Sequence, residues 1–265
     1  MGLSWWSGLK AEVKNETESL IGQLRAHDAA TAERAAPISE LAFAVSTEAG
    51  LDSERCIRIA LAAYLHDVGK LSISPGMLSW PGDLDDVQRN VMADHVEVEA
   101  ILPSSVFDFL GDDLAGITSH HETFLGDGYP TGIPDIDVTS TAQIVGISSA
   151  YVALTSHVPY RDAVNHEEAI HILESESAYA WSPRLVGLLN TTFAGRGVQL
   201  VANSGKKIKK PKGEKKGRFA ASSSTSGTGI AVLKQHVLSA VAVASIVSIA
   251  FGANILLSDG EKVPS

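Results

Sequence analysis

Cysteine is nearly absent: Cys56 is the single one in 265 residues. That excludes an internal disulfide and fits a reducing compartment. Cys56 lies in the apolar run CIRIALAAYL, so it reads as a buried structural thiol rather than a nucleophile. Alternating apolar and polar segments of strand length are missing, and there is no internal repeat. Basic charge is scarce in the first 205 residues, which hold 11 Lys/Arg against 28 Asp/Glu, a net of −17. A body of that sign does not hold nucleic acid through a general field, and no nucleic-acid partner is expected. The stretch from Met1 to Ser7 lacks the basic region and apolar core of a secretory signal. No receiver-like or other regulatory module fits in the first 30 residues. Control is therefore expected through the N-terminal helix, a membrane anchor or a partner.

What the chain does hold is helical pattern. Within residues 4–26, Trp5, Leu9, Val13, Leu20 and Leu24 recur at near-helical spacing among polar residues. This segment reads as an amphipathic helix packed on the main body. A dimer or membrane-surface contact led by Trp5 and Trp6 is the alternative. Further helical patterns cover residues 38–49, 53–66, 84–102, 114–121, 139–155, 167–175 and 183–192. Gly50, Pro75-Gly76, Pro81-Gly82, the Gly126–Pro134 stretch and Pro159 separate them. Asp52 or Ser53 is the expected N-cap of the 53–66 helix.

The remaining charge is concentrated. Residues 206–218, KKIKKPKGEKKGR, carry eight basic residues and one acid. A Ser/Gly/Thr-rich stretch follows, then Val237–Leu257, 21 residues without a charge. At about 1.5 Å per residue, that length crosses a bilayer as a helix. The basic cluster on one side puts the large N-terminal domain in the cytoplasm. It can also rest on anionic headgroups, at roughly 1 kcal/mol per charge near the surface. The expected organisation is an N-terminal amphipathic helix (1–29), a main domain (30–202), a linker (203–229), a single transmembrane helix (230–258) and a short tail (259–265).

Three motifs could carry chemistry. His66-Asp67-Val68-Gly69-Lys70 ends an apolar helix, where an imidazole and a carboxylate can serve adjacent cation positions. Gly69 permits a tight departure from the helix, and Lys70 would aim a cation at a bound phosphate. Alone, His66-Asp67 reads equally as a C-capping histidine beside a surface acid. His120-His121-Glu122 closes a second helical segment. Consecutive helical side chains point about 100° apart, so both rings reach one site only near a helix end. Alone, they are a solvent-facing pair. His95 sits on the helix between, and by itself is unremarkable.

With Gly128-Tyr129-Pro130 seven residues after the His pair, this set resembles the HD-GYP family of the HD phosphohydrolase superfamily. The resemblance runs from about Arg34 to Thr192 and continues through IVGISSAYVALTS and Pro159-Tyr160-Arg161. It implies an all-α fold, an HD-domain-like helical bundle. It also implies hydrolysis of cyclic di-guanosine monophosphate at a centre of iron or manganese. His66, Asp67, His95, His120 and His121 match metal ligands. Lys70 and Arg161 match residues that contact substrate phosphate. Tyr129 lies in the loop that shapes the pocket, which the family links to protein partners. Asp67 and Lys70 are the expected catalytic pair.

Several family residues are replaced. Ser149 stands where the family has an aspartate ligand, Val152 where it has a second aspartate, Val158 for an arginine and Leu125 for an aspartate. Arg34 falls near the position of an early ligand histidine. A hydroxyl is a poorer ligand than a carboxylate for a hard divalent ion, so the centre is expected to hold one or two ions. Two function classes stay open. One is a membrane-anchored, cytoplasm-facing phosphodiesterase of a bacterial inner membrane, with a cyclic dinucleotide or another phosphodiester as substrate. The other is a catalytically degenerate domain that binds nucleotide or a protein partner at the membrane.

Overall fold

The computed structural model describes residues 2–80, 83–134, 140–156 and 162–196. They form helices throughout, with no strand among them beyond one isolated bridge between Ser177 and Trp181. The long helices are α1 (Ala11–His27), α2 (Ala29–Glu48) and α3 (Ser53–Leu65). Short α4 (Pro75–Leu78), α5 (Asp86–Ala93), α6 (Ser104–Leu110) and α7 (Ala115–Thr118) follow, then α8 (Ser140–Thr155), α9 (His166–Ser175) and α10 (Pro183–Arg196). Helix α2 is the central post: α1, α3, α8 and α10 all pack on it. The core combines Ile38, Leu41 and Val45 of α2 with Ile59, Leu61 and Leu65 of α3 and Ile144, Ile147 and Tyr151 of α8. The expected linker, the basic segment 206–218, the 237–257 span and Arg161 lie outside the described residues. Within the described residues, no helix is long and apolar enough to cross a membrane.

Local chemistry explains where the helices differ from their sequence patterns. The first pattern is not one helix from residue 4: a 3-10 turn (Trp6–Gly8) precedes α1. Its five apolar positions are nonetheless all buried, and Trp5 meets Tyr64 edge-on. Helix α2 starts nine residues before the expected Ile38. The Asp28 carboxylate caps it by accepting from the Ala30 and Thr31 amides, and the helix runs through Pro37. Its inner face, Thr31, Ala32, Ala35 and Ile38, is buried on both sides of the proline, so packing outweighs the lost backbone donor. Asp52 is the cap of α3, its carboxylate accepting from the Arg55 amide at 2.9 Å. Cys56 is buried, as its apolar run implied.

The expected 84–102 helix is broken in a way that matters for the site. A capping box between Asp85 and Gln88 starts α5, but the helix ends at Ala93 and His95 sits in a 3-10 turn (Asp94–Val96). The 114–121 helix is likewise reduced to α7, and the chain leaves helical geometry at Ser119. A buried acid absent from the expected site residues holds this region together. Asp113 accepts from Arg58 at 2.8 Å, Arg55 at 3.3 Å and the Thr141 hydroxyl at 2.6 Å, tying α3 to the start of α8.

Candidate metal centre

Three chain breaks deliver the histidines. His66 is the C-cap of α3, His95 lies in the turn after α5, and His120 and His121 follow the end of α7. Because the paired histidines stand beyond the helix rather than within it, both rings turn to the same side. Their ring centroids are 4.0 Å apart. All four imidazoles and Asp67 are buried together.

Two glycines permit this convergence. A Cβ on Gly69 would stand 1.8 Å from the His95 carbonyl oxygen, and one on Gly128 would stand 2.3 Å from the His121 carbonyl oxygen. The expectation that Gly69 serves a tight departure from α3 is therefore corrected. Its φ is not positive. The residue is small so that the turn carrying His95 can lie against it.

Hydrogen bonds assign most of the tautomers. His66 Nδ1 lies 2.8 Å from the Ala63 carbonyl, His95 Nδ1 2.7 Å from that of Met92, and His120 Nδ1 2.8 Å from that of Ile117. A carbonyl can only accept, so each Nδ1 carries the proton and each Nε2 keeps a free lone pair. The Nε2 atoms of His95, His120 and His121 converge. His95 Nε2 is 3.5 Å from His120 Nε2 and 3.2 Å from His121 Nε2. Asp67 Oδ1 is 3.5 Å from His95 Nε2, while Oδ2 is 3.4 Å from His66 Nε2 and 2.7 Å from Lys70 Nζ.

Electrostatics keep these groups in ligand form. Burial lowers the pKa of His66 and lowers those of His120 and His121 well below the usual imidazole value. Burial pushes His95 down to about 4, although Asp67 opposes it. Burial alone would raise the Asp67 carboxyl. Lys70 and the neighbouring histidines outweigh burial and hold it well below the ordinary carboxylate range.

The donor set fits a cation. Two nitrogens each about 2.0–2.1 Å from one ion at the tetrahedral angle lie about 3.3–3.4 Å apart, close to the spacings found. Without a cation, the bare His95 and His120 lone pairs would face each other with no proton between. His95, His120 and His121 form one trio able to hold an ion, and His66, Asp67 and His120 form a second. The second is the poorer. Lys70 already pairs with the Asp67 oxygen that faces it, and the Ser149 hydroxyl lies 3.3 Å from His66 Nε2. Since His66 Nε2 has no proton, the hydroxyl donates to the very lone pair a metal would use. The Arg34 charge also bears on His66, disfavouring any added cation there.

A model of the HD domain family matches residues 16–183. The chain belongs to this family, in its HD-GYP branch. Among its relatives, the cyclic di-GMP phosphodiesterase response regulator RpfG of Xanthomonas campestris is 31% identical over 180 residues, covering 66% of this chain and 48% of that protein. The 3'3'-cGAMP-specific phosphodiesterase 3 of Vibrio cholerae is 35% identical over 140 residues, covering 52% and 30%. The chain thus spans about half the length of RpfG and less of the Vibrio protein. Among solved structures, Bd1817, a HDG"Y"P protein from Bdellovibrio bacteriovorus, aligns with a TM-score of 0.47 at 17% identity, over 73% of this chain and 65% of that one.

Within this HD-GYP domain, the five expected ligand residues come together, with Lys70 beside Asp67 and Ser149 beside His66. Tyr129 reaches the cluster too. It is 8% exposed, and its ring stacks on that of His121 at 4.5 Å and 20°. Burial raises its hydroxyl pKa. The adjoining Pro130 and Leu125 face outward. Sequence reasoning gave no separate role to Glu122. Its buried carboxylate accepts from the Thr131 amide at 2.7 Å, the Thr131 hydroxyl at 2.6 Å, and the Gly132 and Ile133 amides at 3.2 Å each. The signal was available: a carboxylate beside two histidines, a few residues before a glycine-rich loop, has backbone amides within reach.

Proposed function

We propose that the chain is a metal-dependent phosphodiesterase that cleaves a cyclic dinucleotide, with cyclic di-GMP as its substrate class. The observation that carries this reading is the convergence of the His95, His120 and His121 Nε2 atoms beside Asp67 Oδ1. Those four side chains would hold one ion, iron or manganese. Once bound, such an ion acts as a Lewis acid on a phosphoryl oxygen and lowers the pKa of a water toward 7. The chain's own part is orientation and charge. Asp67 fixes Lys70, whose half-buried ammonium is available to a phosphate oxygen as negative charge builds there. Tyr129 walls the pocket, and Arg161 is assigned to the second phosphate. Relatives named for cyclic di-GMP and for 3'3'-cGAMP motivate the substrate class. We assign residues 237–257 to a single membrane span and 206–218 to the cytoplasmic face of a bacterial inner membrane.

The test is hydrolysis of cyclic di-GMP by the full-length, metal-replete chain, set against His120→Ala, which removes a member of both trios. Turnover that disappears in the variant supports the reading. Wild-type turnover no greater than that of the variant refutes the enzyme. Metal analysis of the same sample addresses the single ion: two or more tightly held equivalents per chain would overturn it.

One observation favours a second reading. Ser149 occupies the His66 lone pair and Lys70 occupies Asp67 Oδ2, so the second cation position is filled by the protein's own groups. A degenerate domain that binds metal or nucleotide without turnover, and offers the outward Leu125 and Pro130 to a protein partner, fits that arrangement. It predicts metal and nucleotide binding with no product.

A further inference from the structure

Three of the four cluster histidines are held alike. His66, His95 and His120 each donate Nδ1–H to the carbonyl three residues earlier. His121 has no such bond: its Nδ1 is buried without a hydrogen-bond partner. Its Nε2 lies 3.2 Å from His95 Nε2 and its ring meets that of His120 at 4.0 Å and a tilt of 43°, and the contact that stacks on its face, at 20°, is Tyr129. Tyr129 is in turn held by its loop. Its amide donates to the His121 carbonyl at 3.3 Å, and Gly128 lies too close to that carbonyl for any Cβ. The loop is closed at its far end by the four bonds from residues 131–133 to the Glu122 carboxylate. Glu122 is also the residue directly after His121, so the clasp and the ring it serves share one stretch of backbone.

We infer that Glu122 is the positioning residue of His121: by clasping the Gly128-Tyr129-Pro130 loop, it sets the Tyr129 ring against the one cluster imidazole that no carbonyl pins. This deepens the metal reading above and rests on it for the ion, but the effect on the ring exists without metal. Glu122 touches no reacting atom in this scheme, and Tyr129 acts through its ring face rather than its hydroxyl. Phenylalanine should therefore replace Tyr129 at little cost, and leucine should not.

Two measurements on the full-length chain test this. The first is Mn2+ affinity. Glu122→Ala and Tyr129→Leu should each weaken binding about tenfold or more, whereas Tyr129→Phe stays within about twofold. In a His121→Ala background, Glu122→Ala should add no further loss, because the ring it positions is gone. Equal loss in both backgrounds overturns the proposal, as does Tyr129→Leu binding like wild type. The second is the imidazole 15N spectrum of the metal-free chain. In Glu122→Ala and Tyr129→Leu, the two His121 nitrogens should move toward a common averaged shift while His66, His95 and His120 keep their Nδ1–H pattern. All four rings moving together would mean general loosening and would refute a specific role; an unmoved His121 would refute it equally. A wild type that binds no Mn2+ brings down the metal reading, and the imidazole spectrum then still decides this proposal.

Discussion

Ser149→Asp should change metal binding and metal-free stability in opposite directions. Ser149 Oγ lies 3.3 Å from His66 Nε2, which is itself 3.4 Å from Asp67 Oδ2. A carboxylate at this half-buried position therefore enters the second cation position. At about 4 Å and an effective dielectric near 20, a pair of unit charges is worth roughly 4 kcal/mol, so a divalent ion gains up to about 8 before desolvation. Desolvating the carboxylate returns several kcal/mol, leaving a net gain of about 2–4 kcal/mol, or roughly 30- to 1,000-fold in affinity. Without metal, the same carboxylate faces Asp67. Repulsion should cost about 1–2 kcal/mol after His66 takes up a proton in response, or about 3–8 °C in Tm for a domain of this size. The assay is metal stoichiometry and Mn2+ affinity of anaerobically purified protein, with thermal melts before and after metal is added. Unchanged stoichiometry together with an unchanged metal-free melt would refute the placement of Ser149 at a ligand position.

Two further outcomes follow from the same geometry. The metal-free chain should lose stability on acidification, because His95 stays neutral in the fold down to about pH 4 but takes up a proton on unfolding below about pH 6.5. Its stabilisation is complete above pH 6.5 and lost as pH falls through its folded value, about 3 kcal/mol for this ring, with His66, His120 and His121 acting in the same direction. Urea midpoints that stay level from pH 7.5 to pH 5 would contradict it. Gly69→Ala should destabilise the fold by about 3 kcal/mol and weaken metal binding, since its methyl meets a backbone oxygen that cannot turn aside. Chemical denaturation paired with Mn2+ titration checks both effects, and a variant that matches wild type in each excludes the close approach.

The helices and the site were not equally legible. Apolar spacing identified α3, α9 and α10 closely, because each buries a stripe whose period a sequence displays directly, and α8 was legible from a nearly continuous apolar run that is buried on almost every side. It failed across residues 84–102. There the apolar spacing continues, but the turn carrying His95 must lie against Gly69, a contact between residues far apart in the chain. The start of α2 was missed in the other direction: the pattern was read from Ile38, yet the helix begins at Ala29 and runs through Pro37, held by packing on both sides. At the site, residue types and their order were enough to gather His66, Asp67, Lys70, His95, His120 and His121. The buried Asp113 was missed, because its partners on α3 and α8 are a matter of position and not of spacing, and the Glu122 clasp was missed although the glycine-rich loop just after it was in plain sequence.

By itself, then, the sequence determined the all-helical class, the family and the identity of the candidate ligands, since these depend on periodicity and on motifs read in order. It also marked Ser149 as a replacement for an acid. Only the tertiary structure decided what that replacement does. It set the Ser149 hydroxyl on the lone pair of His66, put the Lys70 ammonium on one Asp67 oxygen, and left the other oxygen toward His95. Whether two carboxylate oxygens face one cation position or two depends on the packing of α3, α8 and the turns after α5 and α7 against one another. No local pattern carries that information.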